Sequence, residues 1–462
     1  SYVEDSVDGF YSARRETALL SKNGFGTSAY LGNIRPRGSS ISWGGKASGI
    51  VPVFKGFVQD SKDISQGHAR KGAWAGYLEI THGDFDELAD YILNDPDNAN
   101  VGWIIKDEFI NGLNNNNSDY IRRYQKALKL KMITGRGYFT FIDKSNRNRP
   151  DCYKNNNLLI KASNLCEEIR LFSDNEHSFS CVLSSMNIVK YDEWKNTNAV
   201  FWATIFLDCI AEDFIQKAKN IPGLEKVVKF TEKSRALGLG QCGFHTYLQN
   251  NMIPFESLEA SFKNREIAKH IWDESLRASE DMSKKLGEPE WCKGYGIRNS
   301  HRIAVAPTKS TAMLMGGISE GINPDPAMVF TQTSAGGEVD RINPKLLSIM
   351  KERGIYNKKT ISELKDKMGS VQHVIWLTDE EKKVFKTAFE INQEVILRLA
   401  SQRGKYIDQW QSLNLFFSAN ESEEYISKIH RLAFEDENIL GLYYIYSQAG
   451  VQASKDECES CM

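Results

Sequence analysis

The stretch Asn164-Leu165-Cys166-Glu167-Glu168-Ile169-Arg170-Leu171 sets a thiol two residues from a carboxylate. Side chains alternate along an extended chain, so Cys166 and Glu168 would share one side of it. That pairing places a hydrogen-atom or proton donor beside an acid/base. A cysteine in an apolar strand is more often a packed small hydrophobe, and that reading stands beside the chemical one. Cys181 opens a second strand-like run, CVLSSMNI, and alone it too fits a core. The chain's one C-x-x-C, Cys458 and Cys461, lies in the last seven residues, an acidic end with little apolar content. Zinc would need two more ligands, and none of the eight histidines is near. An inert pair is the bland alternative. A redox pair on a flexible tether uses the exposure of these thiols, because exposed vicinal thiols exchange with other disulfides.

Three further patterns carry possible chemistry. The β-like run Arg302–Pro307 is followed by Thr308, Ser310 and Thr311 at the start of a helical pattern. Free backbone N–H groups and hydroxyls at such a start can hold phosphate, or the residues can serve as ordinary N-caps. Gly238, Gly240 and Gly243 have the G-x-G-x-x-G spacing of a dinucleotide site. A polar, charged stretch precedes them instead of a strand, so that site is rejected and close helix packing is expected instead. Tyr443 and Tyr444 are adjacent near the chain end, as docking residues or a radical relay.

The elements around these residues alternate between strand-like and helix-like. NVGWII precedes KDEFINGL, CVLSSMNIV precedes YDEWKNT, and RIAVAP precedes a helix start. The pattern predicts an α/β fold, a barrel or large sheet. In the glycine-rich zone Gly24–Gly72, SGIVPVFKGFV and AWAGYLEI are expected as short β pieces. Thr378–Ser401 is expected as one helix, with Thr378 and Glu381 as a capping box and Gly404 beyond its end. Its stripe of Val384, Phe385, Ala388, Ile391, Val395, Ile396 and Leu399 is expected in the core. NGLNNNNSDY and YKNNNLL read as surface loops.

With 462 residues, a net charge of −2 and 41% hydrophobic residues, the chain is long enough for a large core or several domains. The balanced charge argues against a dedicated nucleic-acid surface. The longest apolar run, Ala199–Ala211, contains Asp208 and is too short to span a bilayer. Eight cysteines, mostly scattered in apolar surroundings, suit a reducing cytoplasm. No secretory signal is visible in the opening SYVEDSVDGFYSARRE.

Taken in order, NLCEEI, CVLSSMN, RALGLGQCGFHTYL, APTKST, EGINP, YIDQWQSLNLF, LYY and the terminal C-x-x-C resemble the large, catalytic subunit of class I ribonucleotide reductase. GNIRPRGSSI, GKASGIVPVFKGF and SQGHARKGAWAGYLEI are weaker matches upstream, so the resemblance covers essentially the whole chain. It implies a ten-stranded α/β barrel over 1–446 and a flexible redox-shuttle tail over 447–462. It implies reduction of ribonucleotides, diphosphates being favoured, by thiyl-radical chemistry. Cys166 would carry the thiyl radical that takes the ribose 3′-hydrogen. Glu168 would be the base at the 3′-hydroxyl, and Asn164 would hold the 2′-hydroxyl side. Cys181 would be one of two thiols that reduce the 2′-position. Gly24, Thr308, Ser310 and Thr311 would bind substrate. Asp5, Val7, Arg35, Ile41 and Arg70 would serve the site for dNTP or ATP effectors. Tyr443 and Tyr444 would relay the radical from the metal centre of a small subunit. Cys458 and Cys461 would swing in to reduce the active-site disulfide and then pass theirs to thioredoxin or glutaredoxin. No metal is implied on this chain, and the completed large subunit is expected to dimerise.

The sequence departs from that pattern at its start. The matching effector aspartate is Asp5, and no cysteine precedes it to pair with Cys181. The expectation is the C-terminal piece of a split chain, lacking the first barrel strand and the N-terminal helical domain. A separate N-terminal polypeptide would complete it, by non-covalent assembly or by splicing in trans, for which Ser1 is chemically suited. A phage origin, and hence the host cytoplasm, is the matching guess. A catalytically inactive remnant that binds nucleotide or the small subunit is the alternative function.

Overall fold

The computed structural model describes residues 1–42, 44–64, 72–95, 100–334 and 337–448. Arg70, Cys458 and Cys461 lie outside them. Eleven strands occur among the described residues: β1 (Thr27–Tyr30), β2 (Trp74–Glu79), β3 (Asn100–Ile105), β4 (Tyr138–Phe141), β5 (Leu183–Asn187), β6 (Gly238–Cys242), β7 (Val329–Ser334), β8 (Gly337–Ile342), β9 (Leu415–Phe417), β10 (Gly441–Leu442) and β11 (Ile445–Ser447). β1 to β4 pair in parallel in that order, and β10 closes the row antiparallel to β4. β2, β3 and β4 are buried almost throughout. That fits their nearly continuous apolar sequences, since a parallel sheet is covered on both faces.

Helices Ile50–Asp63, Phe85–Asn94 and Ser118–Thr134 supply the crossovers that parallel pairing requires. The last of these begins where Asn117 Oδ1 accepts from the amides of Asp119 and Tyr120. It ends at Gly135, whose φ of 72° closes the helix in a conformation glycine adopts without strain.

A second group holds the other half of the core. β5 and β6 pair in parallel, as do β9 and β11. Segment 301–306 runs beside β6, with Leu237 and Leu239 amides donating to the His301 and Arg302 carbonyls. On its other side Val305 bridges Gln411 in parallel. Tyr443 N–H donates to the Leu413 carbonyl, and Phe141 N–H to the Leu440 carbonyl, joining the two groups. One large apolar cluster runs through both. β7 and β8 form a separate hairpin packed on its own smaller cluster.

The α/β class and the alternating order agree with the sequence expectation. A closed ten-stranded barrel does not. The strands form one five-stranded sheet and three two-stranded ones, because segments 301–306 and 409–412 meet through a single bridge rather than a ladder.

Three local expectations are corrected. The segment expected as a β piece, SGIVPVFKGFV, is mostly the helix Ile50–Asp63. Ile50, Val51, Phe54, Phe57 and Val58 are buried on one helical face, and Pro52 sits in the first turn, where its missing N–H costs nothing. Thr378–Ser401 is two helices, Asp379–Val384 and Gln393–Gly404. The capping box at Thr378 is present, but Asn392 Oδ1 caps a second start on the Glu394 amide, and Gly404 closes the second helix from inside it. Every residue of the expected stripe is nonetheless buried. Finally, Gly238 and Gly240 lie in β6 itself. A Cβ on Gly240 would stand 2.5 Å from the Ala304 carbonyl oxygen, so the glycines permit close strand approach rather than helix packing.

Candidate active site

The loop carrying Cys166 crosses the interior between the two strand groups, and its own polar atoms fold it. Asn164 Oδ1 accepts from the amides of Glu168 (3.1 Å) and Ile169 (3.2 Å). Glu167 takes φ of 67°, a left-handed conformation that a side chain ordinarily resists. Its carboxylate is fully buried and held on several sides. Tyr77 lies 2.8 Å away, Thr140 2.8 and 2.9 Å, and Arg170 2.6 Å. Burial raises the Glu167 carboxyl above its ordinary range, against the pull of Arg170, Tyr77 and Thr140. Such over-determination is what holds a strained backbone residue in place.

Arg170 fixes the far side of the loop. It donates to Ser145 Oγ, Ser163 Oγ and the carbonyls of Glu167, Ile169 and Leu440. Segment 409–412 braces the near side. Trp410 N–H donates to the Glu168 carbonyl at 2.8 Å. Ser412 Oγ is 2.7 Å from the Cys166 carbonyl oxygen and 3.3 Å from Glu168 Oε2.

This scaffold brings most of the expected residues together. Cys166 and Tyr444 both pack against the buried cluster that contains Leu165, Tyr138 and Tyr443. The Tyr443 and Tyr444 rings are 4.0 Å apart, centroid to centroid. Tyr138 is 4.8 Å from the first and 5.5 Å from the second, and its hydroxyl lies 3.2 Å from that of Tyr444. Glu168 and Cys181 are electrostatic neighbours, and burial together with Glu168 pushes the Cys181 thiol far up. At neutral pH Cys181 is therefore a thiol, the form that can give a hydrogen atom. The loop after Gly24 abuts the same place, since a Cβ on Gly26 would touch Leu165 at 3.0 Å.

Thr308, two residues beyond segment 301–306, has φ of 58° and caps the short helix Lys309–Leu314. Its Oγ1 accepts from the Gly321 amide at 2.9 Å. Ser310 Oγ is buried and has no hydrogen-bond partner among the described residues, which leaves a donor for a ligand, whereas Thr311 is exposed. Asn323, from EGINP, bonds the Ser412 carbonyl and the Asn414 amide, tying this end to the Cys166 loop. Asp5 and Arg35 form an ion pair at the surface, with Val7 68% and Ile41 40% exposed. Among the described residues, no group of three or more His, Cys, Asp or Glu is arranged to hold a metal. No helix among them is long and apolar enough to cross a membrane.

Sequence reasoning missed Tyr138, Ser412 and the Glu167–Arg170 pair. Ser412 lies in YIDQWQSLNLF, a stretch that carried the resemblance without an assigned role. Tyr138 sits in an apolar strand, and only its hydroxyl could have marked it.

Comparison with known proteins places this geometry. The family model for the ribonucleotide reductase barrel domain matches residues 1–125, 122–294 and 289–445. A large-subunit relative from Frog virus 3 (isolate Goorha) is 31% identical over 493 residues, covering 100% of this chain and 86% of that protein. The ribonucleoside-diphosphate reductase large subunit of Invertebrate iridescent virus 3 is 30% identical over 527 residues, covering 97% of this chain and 82% of that protein. The solved class Id ribonucleotide reductase alpha subunit of Actinobacillus ureae superposes with a TM-score of 0.90 at 38% identity, over 97% of this chain and 83% of that one. A matching barrel-domain family, large-subunit relatives along the whole chain and a cysteine loop packed against paired tyrosines have one common account: the chain belongs to the ribonucleotide reductase large-subunit family.

Proposed function

We propose that this chain reduces ribonucleoside diphosphates to 2′-deoxyribonucleotides, with Cys166 as the hydrogen-abstracting thiyl. The observation that carries the reading is that Cys166 and Tyr444 both pack on the cluster holding Tyr138 and Tyr443, with Glu168 beside Cys181. Cys166 gives an electron and a proton to the tyrosine pair, which relays both toward a radical-generating small subunit. The thiyl takes the 3′-hydrogen, Glu168 takes the 3′-hydroxyl proton, and the 2′-hydroxyl takes a proton from one of the reducing thiols and leaves as water. Once the 2′-position is reduced, Glu168 returns its proton and Cys166 returns the hydrogen atom to the 3′-position, regenerating the thiyl. Asn164 orients the 2′ side. Two thiols supply the two electrons and become a disulfide, Cys181 being one.

The other described cysteines do not complete that pair. Cys152 and Cys292 are buried in one apolar cluster, Cys152 donating to the Ser300 carbonyl, Cys242 contacts Met186 and Met315, and Cys209 is exposed. We infer that the second thiol lies outside the described residues. Cys458 and Cys461 then re-reduce the disulfide and hand it to thioredoxin or glutaredoxin. The diphosphate sits at Thr308, Ser310 and Thr311, closed by Gly24. Asp5, Val7, Arg35, Ile41 and Arg70 take a dNTP or ATP effector, and the large subunit works as a dimer.

The test is deoxynucleotide formation from a ribonucleoside diphosphate with small subunit, dithiol and effector. Turnover that is lost in Cys181→Ser supports the reading. Unchanged multi-turnover in Cys181→Ser refutes its place in the thiol pair, and binding without reduction in the complete mixture refutes the enzymatic reading.

A further inference from the structure

The tyrosine dipeptide has four backbone polar groups, and three of them are met by neighbouring segments. Tyr443 N–H donates to the Leu413 carbonyl at 2.8 Å, and the Tyr444 carbonyl accepts from the Leu415 amide at 3.1 Å. Tyr444 N–H donates to Asn414 Oδ1 at 3.2 Å. The fourth, the Tyr443 carbonyl, accepts from the side-chain amine of Lys131. Lys131 is 0% exposed, in the last turn of the helix Ser118–Thr134. Its Nζ also lies 5.9 Å from the Tyr138 ring centroid and 5.7 Å from that of Phe139. Four residues on, the Gly135 carbonyl accepts from the Ile445 amide at 3.2 Å. The helix end thus grips the strand on both sides of Tyr444.

A fully buried lysine is costly unless its amine has a use. An apolar side chain of similar length would fill the space and forgo only the donation to the Tyr443 carbonyl. We propose that Lys131 is a positioning residue for radical transfer: its amine fixes the Tyr443–Tyr444 dipeptide and sets the electrostatic field at Tyr138, Tyr443 and Tyr444. The proposal rests on the reading of those tyrosines as the relay.

The charged and titratable groups facing this amine are few. Glu167, already paired with Arg170, favours its protonation, but burial dominates and lowers Lys131 to about 7. His430, from the helix Glu423–Glu435, is held neutral by burial at about 3. The Tyr138 phenol is the other titratable group whose ring lies near this amine. The charge beside the rings therefore changes near neutrality through Lys131 itself.

Lys131→Met removes donor and charge, while Lys131→Gln keeps an N–H donor without the charge. Each variant is assayed with the small subunit from pH 6 to 8.5 beside effector affinity and thermal unfolding. Lys131→Met is expected to lose turnover by on the order of tenfold or more, as small misplacements of reacting groups do, with effector affinity unchanged. Lys131→Gln is expected to retain more turnover and to lose the wild-type inflection near pH 7. Turnover of Lys131→Met within about twofold of wild type overturns the proposal. Parallel loss of effector binding and turnover in both variants also overturns it, as a merely structural role. If Lys131→Met does not fold, an unchanged pH profile in Lys131→Gln overturns the proposal and a flattened one supports it. Tyr443→Phe and Tyr444→Phe run alongside: full activity there refutes the relay itself, whatever Lys131 does.

Discussion

Replacing Arg170 by methionine asks whether the Cys166 loop is held by a buried ion pair or by packing alone. Arg170 and Glu167 are 1% and 0% exposed, with a 2.6 Å contact between them. Removing one partner of such a pair costs about 3–5 kcal/mol, because the other charge stays buried. The Leu440 and Ile169 carbonyls and the Ser145 hydroxyl lose a donor in the same step. The total is a large share of the roughly 5–15 kcal/mol that holds a domain folded. Tyr77 and Thr140 still donate to Glu167, so the loss is expected near the lower end of the range.

The sign of the pH dependence is fixed by Glu167. Burial already raises its carboxyl, and Arg170 opposes that rise. Without Arg170 the folded-state value climbs further above the unfolded one. A carboxyl raised on folding contributes stability at low pH and loses it as pH rises through the folded value. Arg170→Met should therefore be least stable at pH 8 and recover toward pH 5.5, by about 1.4 kcal/mol for each pH unit of that window that lies below the folded value. Urea unfolding at the two pH values reads this, with deoxynucleotide formation as the functional measure. Adding Glu167→Gln should restore part of the stability and remove the pH dependence. A penalty below about 1 kcal/mol, or a fully additive double variant, would refute the argument that the uncompensated charge is what destabilises the loop.

Cys166→Ser should abolish turnover, because a serine hydroxyl gives up its hydrogen atom far less readily, while effector binding in equilibrium dialysis stays unchanged. Ser412→Ala frees the Cys166 carbonyl and should lower turnover with only about 1 kcal/mol of lost stability in urea unfolding. Gly441→Ala puts a methyl 2.3 Å from Glu167 Oε1 and 2.6 Å from Arg170 Nη2; its melting temperature should fall sharply. His245, His301 and His430 are buried and held neutral to about 3. The unfolded chain therefore binds more protons below pH 6.5, and stability should fall by about 1.4 kcal/mol per pH unit for each histidine as pH drops toward 3, which acid titration of the circular dichroism signal reads.

How much of this was legible in the sequence follows from where the partners lie along the chain. Cys166 and Glu168 could be found because they sit in one short stretch. The strands β2 and β3 could be found because their apolar runs are continuous. Ser412 could not be assigned a role: it meets Cys166 across 246 positions, and nothing local marks it. Lys131 reads as an ordinary basic residue of a helix's last turn, and only tertiary packing shows that it points inward. The helix Ile50–Asp63 was hidden by valine and phenylalanine, whose β preference yields to burial on one helical face. The break after Val384 was hidden because the apolar positions stay in register on both sides of it.

The same six residues, Leu440 to Ile445, anchor both the Cys166 loop and the tyrosine pair. Arg170 holds the Leu440 carbonyl, Trp410 Nε1 holds that of Gly441 at 3.0 Å, and Lys131 holds that of Tyr443. Gly441 leaves the room in which Glu167 and Arg170 meet. A one-electron transfer between rings depends on their spacing, and a hydrogen-atom transfer depends on it more steeply. Anchoring the cysteine loop and the tyrosine pair to one short backbone segment makes their separation a property of that segment, not of two independently mobile loops. Polar anchors suit the task better than apolar contacts, because an unmet carbonyl or a buried unpaired charge costs too much for the segment to drift. A substitution that loosens the segment should therefore impair radical transfer before it unfolds the protein.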